Sequence, residues 1–289
     1  MTLFKPNKLL FGTAGIPHST IKPTTINGIK RVRELGLDCM ELEFVRRVNI
    51  SLEKAPELKE VALKNNVELT CHGQYYINLH SLEKEKIEAS IQRVLNAARS
   101  AWFSGGHSVT FHAAYYMKQD PKKVYEVVKE KIKQIVKTLQ DESIPIWIRP
   151  ETTGKGTQWG TYQEITKLSE EIEQVLPCID FSHVHARIAG PEENSKRYNN
   201  YEEFSKILTH VESKLGRTAL DNMHIHVSGI NYGPKGERNH LILKESDLKY
   251  QELMKSFKDF NLKGCVICES PNIEEDALLL QKTYNELKL

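Results

Sequence analysis

The chain has 289 residues and a formal net charge of +2, with 39% hydrophobic and 27% charged residues, a balance that does not by itself announce a nucleic-acid partner. It holds enough apolar material for a sizeable core, at a length that α/β barrels routinely take as one domain. No apolar run reaches the roughly eighteen residues of a transmembrane helix, and Met1-Thr-Leu-Phe-Lys-Pro-Asn-Lys lacks the pattern of a secretory signal.

In chain order, Lys8-Leu-Leu-Phe-Gly-Thr-Ala-Gly reads as a strand and glycine turn, followed by a helix over 25–35 that Gly36 stops. Cys39-Met-Glu-Leu-Glu-Phe is a second strand, 55–64 a second helix, and Val67-Glu-Leu-Thr-Cys a third strand ending at His72. Helical periodicity over 82–102 puts Ile87, Ile91, Val94, Leu95 and Ala98 on one face, ahead of Ser108-Val-Thr-Phe, a fourth strand ending at His112. Residues 121–139 form the clearest helix. Pro121 suits its first turn, Val124, Val128, Ile132, Ile135 and Leu139 belong to one apolar stripe, and Lys123, Lys129, Lys131, Lys133 and Lys137 supply a solvated face.

The fifth strand, Ile144-Pro-Ile-Trp-Ile-Arg-Pro, delivers Glu151 to a glycine-punctuated turn before a helix over 161–174. Leu176-Pro-Cys-Ile leads to Asp180, with His183 just beyond, and a helix follows over 201–215. Met223-His-Ile reaches His226, a helix covers 247–260, Cys265-Val-Ile-Cys reaches Glu269, and a helix over 273–287 closes the series. Strands and helices alternating at about 35 residues per unit predict a parallel sheet that closes into a (β/α)8 barrel, a single domain over 1–289.

In such a barrel the active site is built at the C-terminal ends of the strands, where the His, Asp and Glu residues fall. Gathering such groups in one concavity is costly unless they are paired or metal-bound, and a mixture of imidazoles and carboxylates suits zinc, manganese or iron. The expectation is a multinuclear site that activates water and stabilises a developing oxyanion. The irregular stretches 186–200 and 228–243 leave the same face as candidate substrate loops. His224 is expected to face away from the active centre in a packed or paired role, and Trp159 to belong to the core. Gly154-Lys-Gly-Thr-Gln-Trp-Gly lacks the ending of a phosphate loop. Five cysteines in or beside apolar runs argue for buried thiols in a reducing, cytoplasmic setting, and Cys265 and Cys268, three apart on a strand, should point to opposite faces.

His72-Gly-Gln-Tyr-Tyr-Ile-Asn-Leu, Phe111-His112, Pro150-Glu151-Thr-Thr-Gly-Lys-Gly, Cys178-Ile-Asp180-Phe-Ser-His183, His226 and Glu269-Ser-Pro together resemble the endonuclease IV family of apurinic/apyrimidinic endonucleases over nearly the whole chain. The resemblance implies a TIM barrel that holds three zinc ions and hydrolyses the phosphodiester 5′ to an abasic site in duplex DNA. It implies one ion on His72, His112 and Glu151, a second on Glu151, Asp180, His226 and Glu269, and a third on His183 with partners from the loop after strand seven. Glu151 and Glu269 are the carboxylates implied in catalysis. Tyr75 and Tyr76 match a loop inserted at the lesion, and Arg46 and Arg47 a DNA-contacting position. A monomer suffices to form such a site.

Three segments depart from the family, among them His226-Val-Ser-Gly-Ile-Asn-Tyr-Gly and the loop after His183, with His185, Arg187 and Lys196, which does not map onto the family's pattern. The family's Asp-x-His pair for the third ion stands here as Glu237-Arg238-Asn239-His240, with Glu for Asp and the histidine one position late. Two metals with altered specificity would be consistent with these changes. Two alternatives are a divalent-metal sugar isomerase or epimerase on the related xylose-isomerase-like barrel, and a DNA-binding paralogue without catalysis.

Overall fold

The computed structural model of the protein describes residues 5–188 and 198–288. In chain order the elements are β1 (Leu9–Ala14), α1 (Thr25–Glu34), β2 (Cys39–Glu43), α2 (Ala55–Asn65), β3 (Glu68–His72), α3 (Lys84–Phe103), β4 (Ser108–Phe111), the short β5 (Ala114–Tyr115) and α4 (Pro121–Asp141). They continue with β6 (Trp147–Pro150), the short β7 (Gln158–Trp159), α5 (Tyr162–Glu171), β8 (Cys178–Asp180), α6 (Phe181–Ile188), α7 (Tyr201–Leu215) and α8 (Arg217–Leu220). The last are β9 (Met223–Val227), β10 (Gly229–Gly233), β11 (Gly236–Leu241), α9 (Tyr250–Asp259), β12 (Gly264–Cys268) and α10 (Glu274–Glu286).

Eight strands pair in parallel in the order β6-β4-β3-β2-β1-β12-β9-β8. The two outer strands then meet each other. Bridges join Ile148 to Val175 and Glu151 to Cys178, and Thr152 N donates to Cys178 O at 3.1 Å. The sheet is therefore a barrel, and Glu151 sits in the seam that closes it.

Local chemistry sets the helices around it. Asp120 accepts from Lys122 N to cap α4, with Pro121 in the first turn, and Val124, Val128, Ile132, Ile135, Val136 and Leu139 are buried along one stripe. Thr161 and Glu164 form a reciprocal capping box that starts α5. These helices cover the barrel's outer surface with one large apolar cluster, whereas Leu10, Cys39, Cys265 and Ile267 make a small separate one. Cys265 and Cys268 fall in different clusters, as the two-residue period of a strand requires. All five cysteines are buried and free, and Trp159 is fully buried. No helix among the described residues is long and apolar enough to cross a membrane.

Three expectations need correction. The stretch 228–243 is not irregular, because β10 and β11 pair there as an antiparallel hairpin. Of 186–200, the first part continues α6, while 189–197, with Lys196, lie outside the described residues. His224 does not face away from His226: residues two apart on a strand share a face, so both rings enter the barrel, with centroids 5.0 Å apart.

Candidate metal centre

The interior positions of the strands are read off the same period. Glu41 and Glu43 on β2, His72 on β3, Glu151 after β6, Asp180 on β8, His226 on β9 and Glu269 after β12 all rise toward one end of the barrel. Glu151 lies at the centre. Its Oε2 is 3.1 Å from His72 Nε2, and its Oε1 is 3.4 Å from His112 Nε2, 3.2 Å from His183 Nδ1 and 3.4 Å from His226 Nδ1. His226 Nδ1 is also 3.4 Å from Glu269 Oε2, and His183 Nδ1 is 3.3 Å from Asp180 Oδ2.

Three sets of side chains at this end bring one ligand atom each to within 4.8 Å of one another: His72, His112 and Glu151; Glu151, Asp180, His226 and Glu269; and Asp180, His183 and His240. The first two are the sets the family resemblance implies. Glu151 belongs to both, and Asp180 links the second to the third. A fourth set, Cys178, His224 and His226, lies below them, but there Glu41 already engages Nε2 of both histidines at 2.8 and 2.9 Å.

The altered segment is accommodated by a bulge. Residues three apart on a regular strand face opposite ways, yet in β11 the register shifts so that Tyr232 pairs with Glu237 and Asn231 with Asn239, leaving Arg238 as the extra residue. The shift turns Glu237 and His240 toward the same place. Glu237 Oε2 is 3.6 Å and His240 Nε2 3.4 Å from His183 Nε2. Two glycines let the hairpin come close enough. A Cβ on Gly236, whose φ is +95°, would lie 2.3 Å from Gly154 O, and one on Gly154 would lie 2.6 Å from Glu237 Cβ. Glu237 N donates to Gly154 O across this contact at 2.9 Å.

Supporting bonds orient the ligands. His72 Nδ1 lies 2.7 Å from Gly73 O, which leaves Nε2 directed at Glu151. Asp180 Oδ1 accepts from His183 N at 2.7 Å, so Oδ2 is the oxygen left for the cluster. Arg187 ties α6 to the loop after β6 by donating to Thr153 Oγ1, Lys155 O and Gln158 O. His185, which the family pattern did not place, is a strut: its Nε2 is 3.0 Å from Asp247 Oδ1 and its ring lies edge-on to Tyr232 of the hairpin.

Charge and burial agree with a cation-binding role. Glu151 Oε1, Asp180 Oδ2, His226 Nδ1, His112 Nε2 and Glu269 Oε2 are buried and meet no hydrogen-bond geometry among the described residues, although they converge on one another. Unpartnered buried oxygens and imidazole nitrogens on one centre are the donor set that divalent ions take, so these residues fit the metals that the family resemblance implies. Burial pushes the Glu151 carboxyl up, but His112 and His226 outweigh it and hold the group well below the usual range. Burial lowers His72, yet its contact with Glu151 carries it up to about 10. Glu43 is pushed up to about 8 by burial and by the charge of Glu41.

At the rim, Tyr75 and Tyr76 are 61% and 62% exposed on the loop after β3. Arg46 and Arg47 are exposed on the turn after β2, which the β3 loop touches through Tyr75 N to Val45 O at 3.2 Å. They stand beside the cluster rather than in it. Glu41 is an interior residue that motif reading passed over. Its signal was present: a carboxylate in mid-strand, where parallel strands covered on both faces are expected to be apolar.

Fold and site together define a (β/α)8 barrel with a carboxylate–imidazole centre at the C-terminal ends of its strands. The chain belongs to the xylose isomerase-like TIM barrel family, whose model matches residues 29–286. It is 43% identical over 279 residues to an uncharacterised protein of Methanocaldococcus jannaschii, covering 96% of this chain and 98% of that one. Endonuclease IV from Thermus thermophilus superposes with a TM-score of 0.70 at 18% identity, covering 94% of this chain and 97% of its own. A D-tagatose 3-epimerase-like protein superposes equally well, with a TM-score of 0.70 at 15% identity over 95% and 96% of the two chains.

Proposed function

We propose that the protein is a zinc-dependent endonuclease that hydrolyses the phosphodiester 5′ to abasic sites in duplex DNA. The observation that carries this reading is the sharing of ligands: Glu151 belongs to two of the three sets and Asp180 to two, so the sets adjoin. His72, His112, Glu151, Asp180, His183, His226, Glu237, His240 and Glu269 would hold up to three ions. Manganese or iron would suit many of the same donors. Bound divalent ions supply Lewis-acid polarisation of the phosphoryl group and activation of water at neutral pH.

The chain's own residues bind and orient. Glu151 and Glu269 keep the floor of the site anionic, the hairpin carries Glu237 and His240 over His183, and Asp180 joins the two halves. Tyr75 and Tyr76 offer exposed aromatic faces to replace stacking when the abasic sugar leaves the helix. Arg46 and Arg47 reach the phosphate backbone from the adjacent turn.

A sugar isomerase or epimerase is the second reading. It draws on the four-ligand set Glu151, Asp180, His226 and Glu269, sufficient for one ion, and on the equal superposition of the epimerase-like barrel. His72, His112 and the His183 set are surplus to it. The test is incubation of the protein with a duplex carrying one central abasic analogue, compared with Glu269→Gln, with metal content measured on both. Incision on the 5′ side that is lost in the variant supports the nuclease. An intact duplex alongside epimerisation of a ketose assigns the second reading instead, and bound metal with neither activity points to a non-catalytic paralogue.

A further inference from the structure

Below the metal-ligand sets, a line of buried polar groups crosses the barrel. Ser108 Oγ lies 3.0 Å from His224 Nδ1, and His224 Nε2 lies 2.8 Å from Glu41 Oε2. The other oxygen, Glu41 Oε1, lies 2.9 Å from His226 Nε2, and His226 Nδ1 looks upward to Glu151 and Glu269. Ser108, Glu41, His224 and His226 are all fully buried. They come from β4, β2 and β9, so only barrel closure brings them together.

We propose that Glu41 is a positioning residue for the metal centre. The inference rests on the metal reading of the site above but not on which reaction it catalyses. A neutral imidazole carries one proton on one of its two nitrogens. A carboxylate against Nε2 draws that proton there, which leaves the lone pair of Nδ1 toward the set formed by Glu151, Asp180 and Glu269. Glu41 thus fixes both the tautomer and the ring orientation of His226. The same carboxylate holds His224, whose far nitrogen is in turn held by Ser108, so Glu41 is itself braced from the opposite side.

The test is zinc competition against a chromophoric chelator on intact wild type, Glu41→Gln and Glu41→Asp, with thermal unfolding of each. Glu41→Gln is expected to bind one zinc about 10–100-fold more weakly while the remaining zinc affinity is unchanged. Glu41→Asp keeps the charge but retracts it, and should show a smaller loss at the same ion. Ring-nitrogen chemical shifts of zinc-loaded His226 supply a readout that a packing defect would not move: one fixed tautomer in wild type, and altered Nε2 shifts in Glu41→Gln. Wild-type zinc affinity in both variants overturns the proposal, as does a uniform weakening at every ion. A wild type that binds no divalent metal overturns it together with the metal reading itself, which separates the two failures.

Discussion

At the lower end of the barrel Arg149 is 1% exposed, and its guanidinium donates to Pro177 O at 3.0 Å and to Asn222 O and Oδ1 at 2.8 and 2.9 Å. Two residues on, just past the end of that strand, Glu151 is equally buried, but one of its oxygens has only converging imidazoles and carboxylates around it. Two of the guanidinium nitrogens are taken up by backbone and amide oxygens that are fixed in place, which is how a buried ion is made tolerable, while Nε has no hydrogen-bond partner among the described residues. The second charge is left with capacity to bind. Depth does not separate structural from functional charge in this protein; the fixed oxygens around the one and the converging donors around the other do.

The comparison is most severely tested at Glu151. Replacing it with Gln turns one oxygen of the carboxylate that two ligand sets share into an amide nitrogen and removes its charge, and the expected loss of incision exceeds the roughly 10–100-fold typical of a residue that only supports a ligand. Metal analysis should show loss of metal together with activity. Arg149→Met inverts the pattern. It should cost about 2–4 kcal/mol in chemical denaturation by stranding the oxygens of Pro177 and Asn222, while zinc affinity stays at the wild-type value.

A subtler difference is in pH dependence. His72 has its pKa raised to about 10 in the metal-free fold, so it holds a proton at neutral pH that metal ligation must displace. Zinc affinity should therefore rise between pH 6 and pH 8, by about tenfold per pH unit for each proton displaced. Competition titrations across that range measure the slope, and a flat profile would mean that the ligands are already deprotonated. The sign for folding is the reverse. A raised histidine pKa stabilises the metal-free fold below the unfolded value near 6.5, and that contribution is lost as pH rises toward 10.

Much of this was legible in the chain. Strands and helices follow from periodicities of two and 3.6 that any short window displays, and strand ends are where side chains of a barrel can meet. Hence His72, Glu151, Asp180, His226 and Glu269 could be singled out before any coordinates. The hairpin at 229–241 was missed because its sequence, Gly-Ile-Asn-Tyr-Gly-Pro-Lys-Gly-Glu-Arg-Asn-His-Leu, is polar and glycine-rich, with none of the apolar alternation that marks a strand. His224 was misplaced by a parity error that the two-residue period itself corrects.

What the sequence determined by itself is the alternation of eight strands with helices and the placing of acids and histidines where strands end, because those depend on residues a few positions apart. Only the tertiary structure decided that Glu41 meets His226, that Gly154 and Gly236 touch, and that a bulge at Arg238 brings Glu237 and His240 to His183. Those contacts join residues from different strands and loops, and they are set by the register and closure of the whole sheet, which no local pattern encodes.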